Sequence, residues 1–214
     1  MQEIHLYNVW SRAELEDCDL RDELAAIKGD VDAIKDRFYR DLEFGTGGLR
    51  GVIGAGTNRM NIYTVRKATQ GLANYLLQDS DSPSVAISYD SRIKSDTFAK
   101  EAARVLSANG IKVYIYDHLM PTPALSFAVR ELKCSAGIMI TASHNPAKYN
   151  GYKVYGSDGC QITIDAANSV LSEINKVDIF HVTIEDFDQA LADGNIEYIS
   201  KEVEEKYLHN VKAQ

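Results

Sequence analysis

Ile140-Thr-Ala-Ser-His-Asn-Pro146 is the stretch that decides how this chain reads. Ahead of it runs Ala136-Gly-Ile-Met-Ile140, and behind it come Asn150-Gly-Tyr-Lys153. A short, unbroken apolar run predicts a strand buried on both faces, as in a parallel sheet covered by helices. The polar residues after it then form a turn beyond the carboxyl end of that strand, where open α/β sheets build their sites. Small Ala142 lets the backbone turn tightly, and Asn145-Pro146 stops the segment from continuing as strand or helix. Ser143 is therefore presented on a turn.

Working outward, the periods alternate. Ile62, Val65, Leu72 and Leu76 fall on one helical face behind Asn61, a predicted N-cap. Gln78 to Pro83 reads as a turn and Val85-Ala-Ile-Ser-Tyr89 as a buried strand. A helix follows over Asp96 to Asn109, closed by Gly110. Lys112 to Tyr116 reads as a strand, and Pro121-Thr-Pro123 opens a helix reaching about Lys133. This alternation predicts right-handed βαβ crossovers. The fold class is α/β: a mostly parallel, mixed sheet of about four or more strands sandwiched by helices.

Gly151 to Tyr155 and Gln161 to Thr163 flank Gly156-Ser-Asp-Gly159, the pattern of a β-hairpin. Residues 164–175 and 184–193 read as helices, Ile196 to Ile199 as an edge strand, and Lys201 to Lys212 as a charged helix. At the other end, residues 11–42 read as helical with a break at Gly29-Asp30. Phe44-Gly-Thr-Gly-Gly-Leu-Arg-Gly51 is too rich in glycine to predict a helix or a regular strand interior. The organisation expected is a helical extension over 1–40, one α/β domain over 41–200, and the start of a connector helix over 201–214.

Composition bounds the chemistry. The 214 residues are 45% hydrophobic and 25% charged, as in an ordinary globular protein. No apolar run approaches the ~20 residues of a membrane helix, and the first residues lack a basic start and apolar core. Cys18, Cys134 and Cys160 are widely spaced, without metal-ligand spacing, and read as reduced thiols of a cytoplasmic protein. A net charge of −8 argues against nucleic-acid and anionic-membrane partners. It leaves room for a small anionic substrate, which needs only local donors, and cations gather at Arg50 and at Lys148 to Lys153.

A serine in a turn usually bonds its own backbone, and a lysine in a strand is usually a solvated cation. Asp90-Ser-Arg92 reads equally as a pair fixing the turn after a strand and as a substrate contact. His144 invites a Ser-His pairing, but neighbouring side chains of an extended loop point apart. Asp79-Ser-Asp81 reads as turn polarity, and the glycines between 45 and 56 follow no clear strand, so they make no nucleotide-binding fingerprint.

The ordered wording Thr141-Ala-Ser143-His144-Asn145-Pro146, with Lys153 ten residues past the serine, resembles the phosphoserine loop of the α-D-phosphohexomutases, the phosphoglucomutase and phosphomannomutase family. Phe44-Gly-Thr-Gly-Gly-Leu-Arg50-Gly51 is similar to a second active-site piece of that family. The resemblance implies an enzyme in which Ser143 is the phosphorylated nucleophile and Arg50 and Lys153 assist proton transfer. Arginine is a poor base, so Lys153 suits the proton shuttle better and Arg50 an electrostatic role. His144, Asn145 and Arg92 are the substrate-binding residues expected. Mg²⁺ would be met through the Ser143 phosphate, and a hexose 1,6-bisphosphate would be intermediate and activator.

The resemblance runs over about residues 40–212, the first of the family's four domains. In the family, an Asp-Gly-Asp-x-Asp-Arg loop holding Mg²⁺, a Gly-Glu-x-Ser-Gly type loop reading the sugar, and an arginine-serine-glycine loop binding the distal phosphate lie in the other three. None of these sequences occurs here. The expectation is a first-domain fragment of a longer mutase, poorly active alone, whose partners are sugar phosphates and the remaining three domains. The glycine-rich form and long extension look closer to the larger phosphoglucomutases and phosphopentomutases. The competing readings are a non-catalytic sugar-phosphate-binding or regulatory module and a nucleotide-binding α/β domain. An intact Ser143, Arg50 and Lys153 speak against the first.

Overall fold

The computed structural model describes residues 2–213. Six strands form one sheet: β1 (Leu49–Val52), β2 (Ser84–Tyr89), β3 (Lys112–Ile115), β4 (Ala136–Ile140), β5 (Tyr149–Gly156) and β6 (Ile196–Tyr198). Their order across the sheet is β1-β5-β4-β2-β3-β6. β4, β2, β3 and β6 run parallel, while β5 lies antiparallel to both β4 and β1. The sheet is mixed with a parallel half, as the alternating periods predict.

Strand alternation sorts the side chains between two cores. Val85, Ile87, Ala136, Ile138 and Ile140 join the larger one. It is covered by α4 (Ile62–Asp79), α5 (Ser95–Ala108), α7 (Ile164–Ile174) and α8 (Phe187–Ala192). Ala86 and Met139 face the smaller one, under α6 (Thr122–Glu131) and α9 (Lys201–Lys212). Every residue of β4 is buried, which explains its unbroken apolar wording. Asn61 caps α4 in a reciprocal capping box with Thr64.

The first 40 residues hold α1 (Gln2–Arg12), α2 (Cys18–Ala26) and α3 (Val31–Phe38). Gly29, at φ +87°, and the N-cap Asp30 make the break foreseen there. These helices share the larger core. Trp10, 1% exposed, meets the rings of Phe38, Tyr63 and Phe180 edge-on at 5.3–6.0 Å. Glu16 grips Arg66 of α4 with both oxygens, at 2.7 and 2.8 Å, and Arg66 Nε reaches Glu101 of α5 at 2.5 Å. Glu23 accepts from the backbone N–H of Ala55 at 2.7 Å, so α2 holds the loop that follows β1.

Three expectations change. The glycine-rich segment does contain regular strand, because β1 takes Leu49 to Val52 and pairs with β5. The hairpin after Gly156 shrinks to a single bridge between Tyr155 and Gln161. β1 pairs with β5 only over Tyr149 to Tyr152, so the edge beyond is open to Gln161, but Thr163 caps α7 and ends the returning strand there. The helical region also begins earlier than residue 11: α1 starts at Gln2, its apolar signal diluted by polar neighbours of Tyr7 and Trp10.

Candidate functional site

β4 ends at Ile140, and the chain leaves the sheet through buried Thr141 and Ala142. Ser143 then takes a left-handed backbone, φ +58°, and is exposed. The loop is thus a sharp turn at the serine rather than an extended segment. For a residue with a Cβ this conformation costs roughly 1–2 kcal/mol, and such strain persists where surrounding structure over-determines it.

The determinants are visible. The Ser143 N–H donates to Thr141 Oγ1 at 2.8 Å, and the Thr141 hydroxyl donates to Asp90 Oδ2 at 2.5 Å. Asp90 Oδ1 accepts from the Arg92 N–H at 3.1 Å and from Ser95 Oγ at 3.0 Å. Arg92 spends its guanidinium on four loop carbonyls: Ser143 at 2.6 Å, Asn145 at 2.8 Å, Tyr149 at 3.1 Å and Pro146 at 3.3 Å. Behind them, fully buried Asn150 donates to Ser95 Oγ and to the Ile93 carbonyl, both at 3.0 Å.

The two cations arrive from the antiparallel half of the sheet. Arg50 on β1 stands opposite Gly151 of β5, and Lys153 lies two residues along. By alternation both side chains leave the same face. Arg50 Nη1 reaches Asn145 Oδ1 at 3.4 Å. Together with Thr141, Lys148 and Tyr149, Arg50 and Lys153 line a polar cleft of about 690 Å³. Ser143, His144 and Asn145 are not among its lining residues; Ser143 is tied to it through Thr141 and Asn145 through Arg50. Asp36, Arg40 and Arg59 line it as well. Gly48 lets β1 approach: at φ +72°, a Cβ there would lie 1.9 Å from the Tyr152 carbonyl oxygen.

The structure brings Ser143, Asn145, Arg50 and Lys153 to one end of the sheet. His144 is exposed beside the serine and makes no hydrogen bond to it among the described residues. Arg92 lies under the loop, its side chain 13% exposed and both of its Nη nitrogens occupied by the carbonyls. Thr141, Asp90 and Asn150 take parts that residue type alone does not announce.

A metal at Ser143 needs oxygen ligands. The loop carbonyls are turned to Arg92, and both oxygens of Asp90 are engaged. Among the described residues the only cluster of three acidic, Cys or His ligands is Asp17-Cys18-Asp19, in the extension, where both carboxylates already hold Lys94. The residues here do not fit a complete cation site.

The chain is thus an α/β/α sandwich with a left-handed serine just past the carboxyl end of a buried strand and two cations, Arg50 and Lys153, in the cleft that Thr141 also lines. Residues 41–179 match the family model described as phosphoglucomutase/phosphomannomutase, alpha/beta/alpha domain I, and the chain belongs to that family. A phosphoglucomutase of Staphylococcus saprophyticus is 45% identical over 173 residues, 80% of this chain and 31% of that protein. A phosphoglucomutase of Staphylococcus aureus is 49% identical over 143 residues, 67% of this chain and 26% of that one. The chain spans about a third of the length of the curated relatives it matches. Among solved structures, a Thermus thermophilus protein assigned as a phosphomannomutase superposes with a TM-score of 0.60 at 32% identity. The match covers 68% of this chain and 33% of that one.

Proposed function

We propose that this chain is the phosphoserine-bearing domain of a phosphohexomutase, which interconverts a sugar 1-phosphate and a sugar 6-phosphate. Ser143 is the residue phosphorylated. The observation that carries this reading is the left-handed, exposed Ser143, bonded to Thr141 of a cleft that Arg50 and Lys153 also line.

In the transfer, the Ser143 Oγ–P bond breaks as a bond forms between phosphorus and a sugar hydroxyl oxygen. Lys153, as an ammonium, gives a proton to the departing Ser143 Oγ, and the sugar hydroxyl proton replaces it. The product is a hexose 1,6-bisphosphate, and the reverse step returns its other phosphate to the serine. Transfer of this kind asks mainly for positioning and for charge stabilisation around the equatorial oxygens. Lys153 has no ion-pair or hydrogen-bond partner among the described residues, which leaves its amine free for a proton. Arg50 supplies fixed positive charge and its orientation comes from Asn145. His144 and Asn145 face incoming sugar phosphate. Mg²⁺, when bound, would neutralise charge on the phosphoserine, and its further ligands would come from the aspartate-rich loop of the family's second domain. No described helix is long and apolar enough to cross a membrane, and the compartment we expect is the cytoplasm.

The test is to incubate the parent enzyme with a hexose 1,6-bisphosphate and Mg²⁺ and to map phosphate by peptide mass spectrometry. One phosphate on Ser143 that discharges onto a hexose monophosphate is the result expected. A Ser143 that stays unmodified overturns the proposal.

A further inference from the structure

Both backbone polar groups of Ser143 lead back to one short segment after β2. The N–H runs through Thr141 Oγ1 to Asp90, and the carbonyl oxygen accepts directly from Arg92 Nη2. Asp90 and Arg92 complete the ring. Arg92 donates its own N–H to Asp90 Oδ1, and its Nε stands 3.5 Å from Asp90 Oδ2, at ion-pair distance without a hydrogen bond. Ser143, Thr141, Asp90 and Arg92 therefore form a closed circuit around one strained residue.

The circuit reaches further than the serine. Arg92 also holds the carbonyl of Asn145, whose side chain meets Arg50. It holds the carbonyl of Tyr149 as well, the first residue of the strand that carries Lys153. One guanidinium thus sets three things in register: the nucleophile, the residue that orients Arg50, and the start of the Lys153 strand. Arginine suits this because its planar fork offers five donors in fixed directions, where a lysine ammonium offers a point charge.

We propose that Thr141, Asp90 and Arg92 are positioning residues that hold Ser143 in its left-handed conformation for phosphoryl transfer. This rests on Ser143 being the phosphoserine. It reassigns Arg92 from sugar-phosphate contact to loop geometry. The alternative for Thr141 is a packing role, since it is 5% exposed and its methyl group fills space at the strand end.

Thr141→Val and Thr141→Ser separate the two. Valine keeps the shape and removes the hydroxyl; serine keeps the hydroxyl and removes the methyl. In the parent enzyme, Thr141→Val should lower kcat roughly 100-fold, the scale expected of an ångström-sized misplacement. KM for the sugar phosphate should change by less than about threefold, because uniform substrate binding is untouched. Thr141→Ser should recover most of kcat. Arg92→Gln should resemble Thr141→Val, and added guanidinium should restore part of its rate. A Thr141→Val enzyme as fast as wild type, or valine and serine variants equally impaired, overturns the proposal.

A second readout needs no reaction. In the 214-residue chain, the Ser143 amide should be protected from hydrogen exchange and show a left-handed φ by NMR coupling, in wild type and Thr141→Ser alike. Thr141→Val should lose both while its thermal midpoint stays within a few degrees. Retention of both in Thr141→Val sinks the brace even if Ser143 proves to be the phosphoserine. Their loss, with wild-type Ser143 never phosphorylated, keeps the brace as a structural device and overturns its catalytic purpose and the mutase reading together.

Discussion

The loop that carries Ser143 and the strand that carries Arg50 meet through Asn145, yet they are held in opposite ways. On the loop both backbone polar groups of Ser143 are engaged, the N–H by Thr141 and the carbonyl by Arg92. On the strand side, backbone pairing is regular while the functional side chains are left loose. Arg50 has a single long bond of 3.4 Å, and Lys153 has none among the described residues. The difference follows from what each part must do. In the role proposed for Ser143, a phosphoryl donor and acceptor must return to one place after each transfer, so fixing it lowers the entropic barrier. Cations that meet a moving phosphate need freedom to follow it, so partners that neutralised them would compete with substrate.

Removing the nucleophile should have the largest effect. Ser143→Ala is expected to abolish phosphate incorporation at this position and lower mutase turnover by roughly 10⁴-fold or more. Its thermal midpoint should be close to wild type, because the side chain is exposed. Residual incorporation at the same peptide, seen by mass spectrometry, would move the nucleophile elsewhere and dissolve the contrast.

The loose side comes next. Lys153→Met should reduce kcat by about 10³-fold, within the range for loss of a general acid-base group, while the phosphoserine still forms slowly. Arg50→Lys should cost less, since positive charge is kept and only the fork is lost. The comparison breaks if Arg50→Lys proves the more damaging, because Arg50 would then act by geometry as the loop does. Steady-state kcat and KM on both variants decide it.

Gly48→Ala probes the hinge between the two sides. The added Cβ would meet the Tyr152 carbonyl oxygen at 1.9 Å, and φ +72° disfavours any side chain. We expect a loss of about 3 kcal/mol in unfolding free energy, of the order seen when a rigid backbone approach is blocked. Urea denaturation measures it. A near-neutral result would mean that β1 can slide away from β5, contradicting the register that sets Arg50 beside Lys153.

Much of this fold is legible in the amino-acid sequence, for identifiable reasons. The unbroken apolar wording of Ala136 to Ile140 predicts a central strand because parallel strands are buried on both faces, and β4 is buried throughout. Asn61, Gly29 and the edge position of β6 are also readable from local chemistry. What is not legible is long-range. Leu49 to Val52 becomes strand because β5 offers an edge, and nothing in a run of glycines announces a partner a hundred residues away. The hairpin is cut to a single bridge because Thr163 turns the returning chain into α7. At the site, Ser143, Arg50 and Lys153 can be singled out by motif. The hydroxyl of Thr141 and the four-carbonyl grip of Arg92 depend on a turn angle that a sequence does not state.

The smallest effect expected is electrostatic and lies far from the cleft, where the helical extension is clamped to the domain. Glu16 bonds Arg66 with both oxygens, and that bond holds its carboxyl below the usual carboxylate range. A carboxylate whose pKa is lower folded than unfolded stabilises the fold above its unfolded pKa, and that stability is lost as pH falls through the folded value. The side chain of Glu16 is 56% exposed, so solvent screening limits the contribution to less than about 1 kcal/mol. Glu16→Gln leaves Arg66 paired with Glu101, so no guanidinium is orphaned. The stability gap between wild type and Glu16→Gln should therefore be constant at pH 5 to 7 and narrow below pH 4.5, as urea midpoints across that range would show. Phosphate incorporation at Ser143 should not change, because the clamp and the cleft share no side chain. If Glu16→Gln slows incorporation, the extension reaches the site through α3, whose Asp36 lines the cleft. The division between a braced loop and a loose cationic face would then have to include the helices of the extension as a third, coupled element.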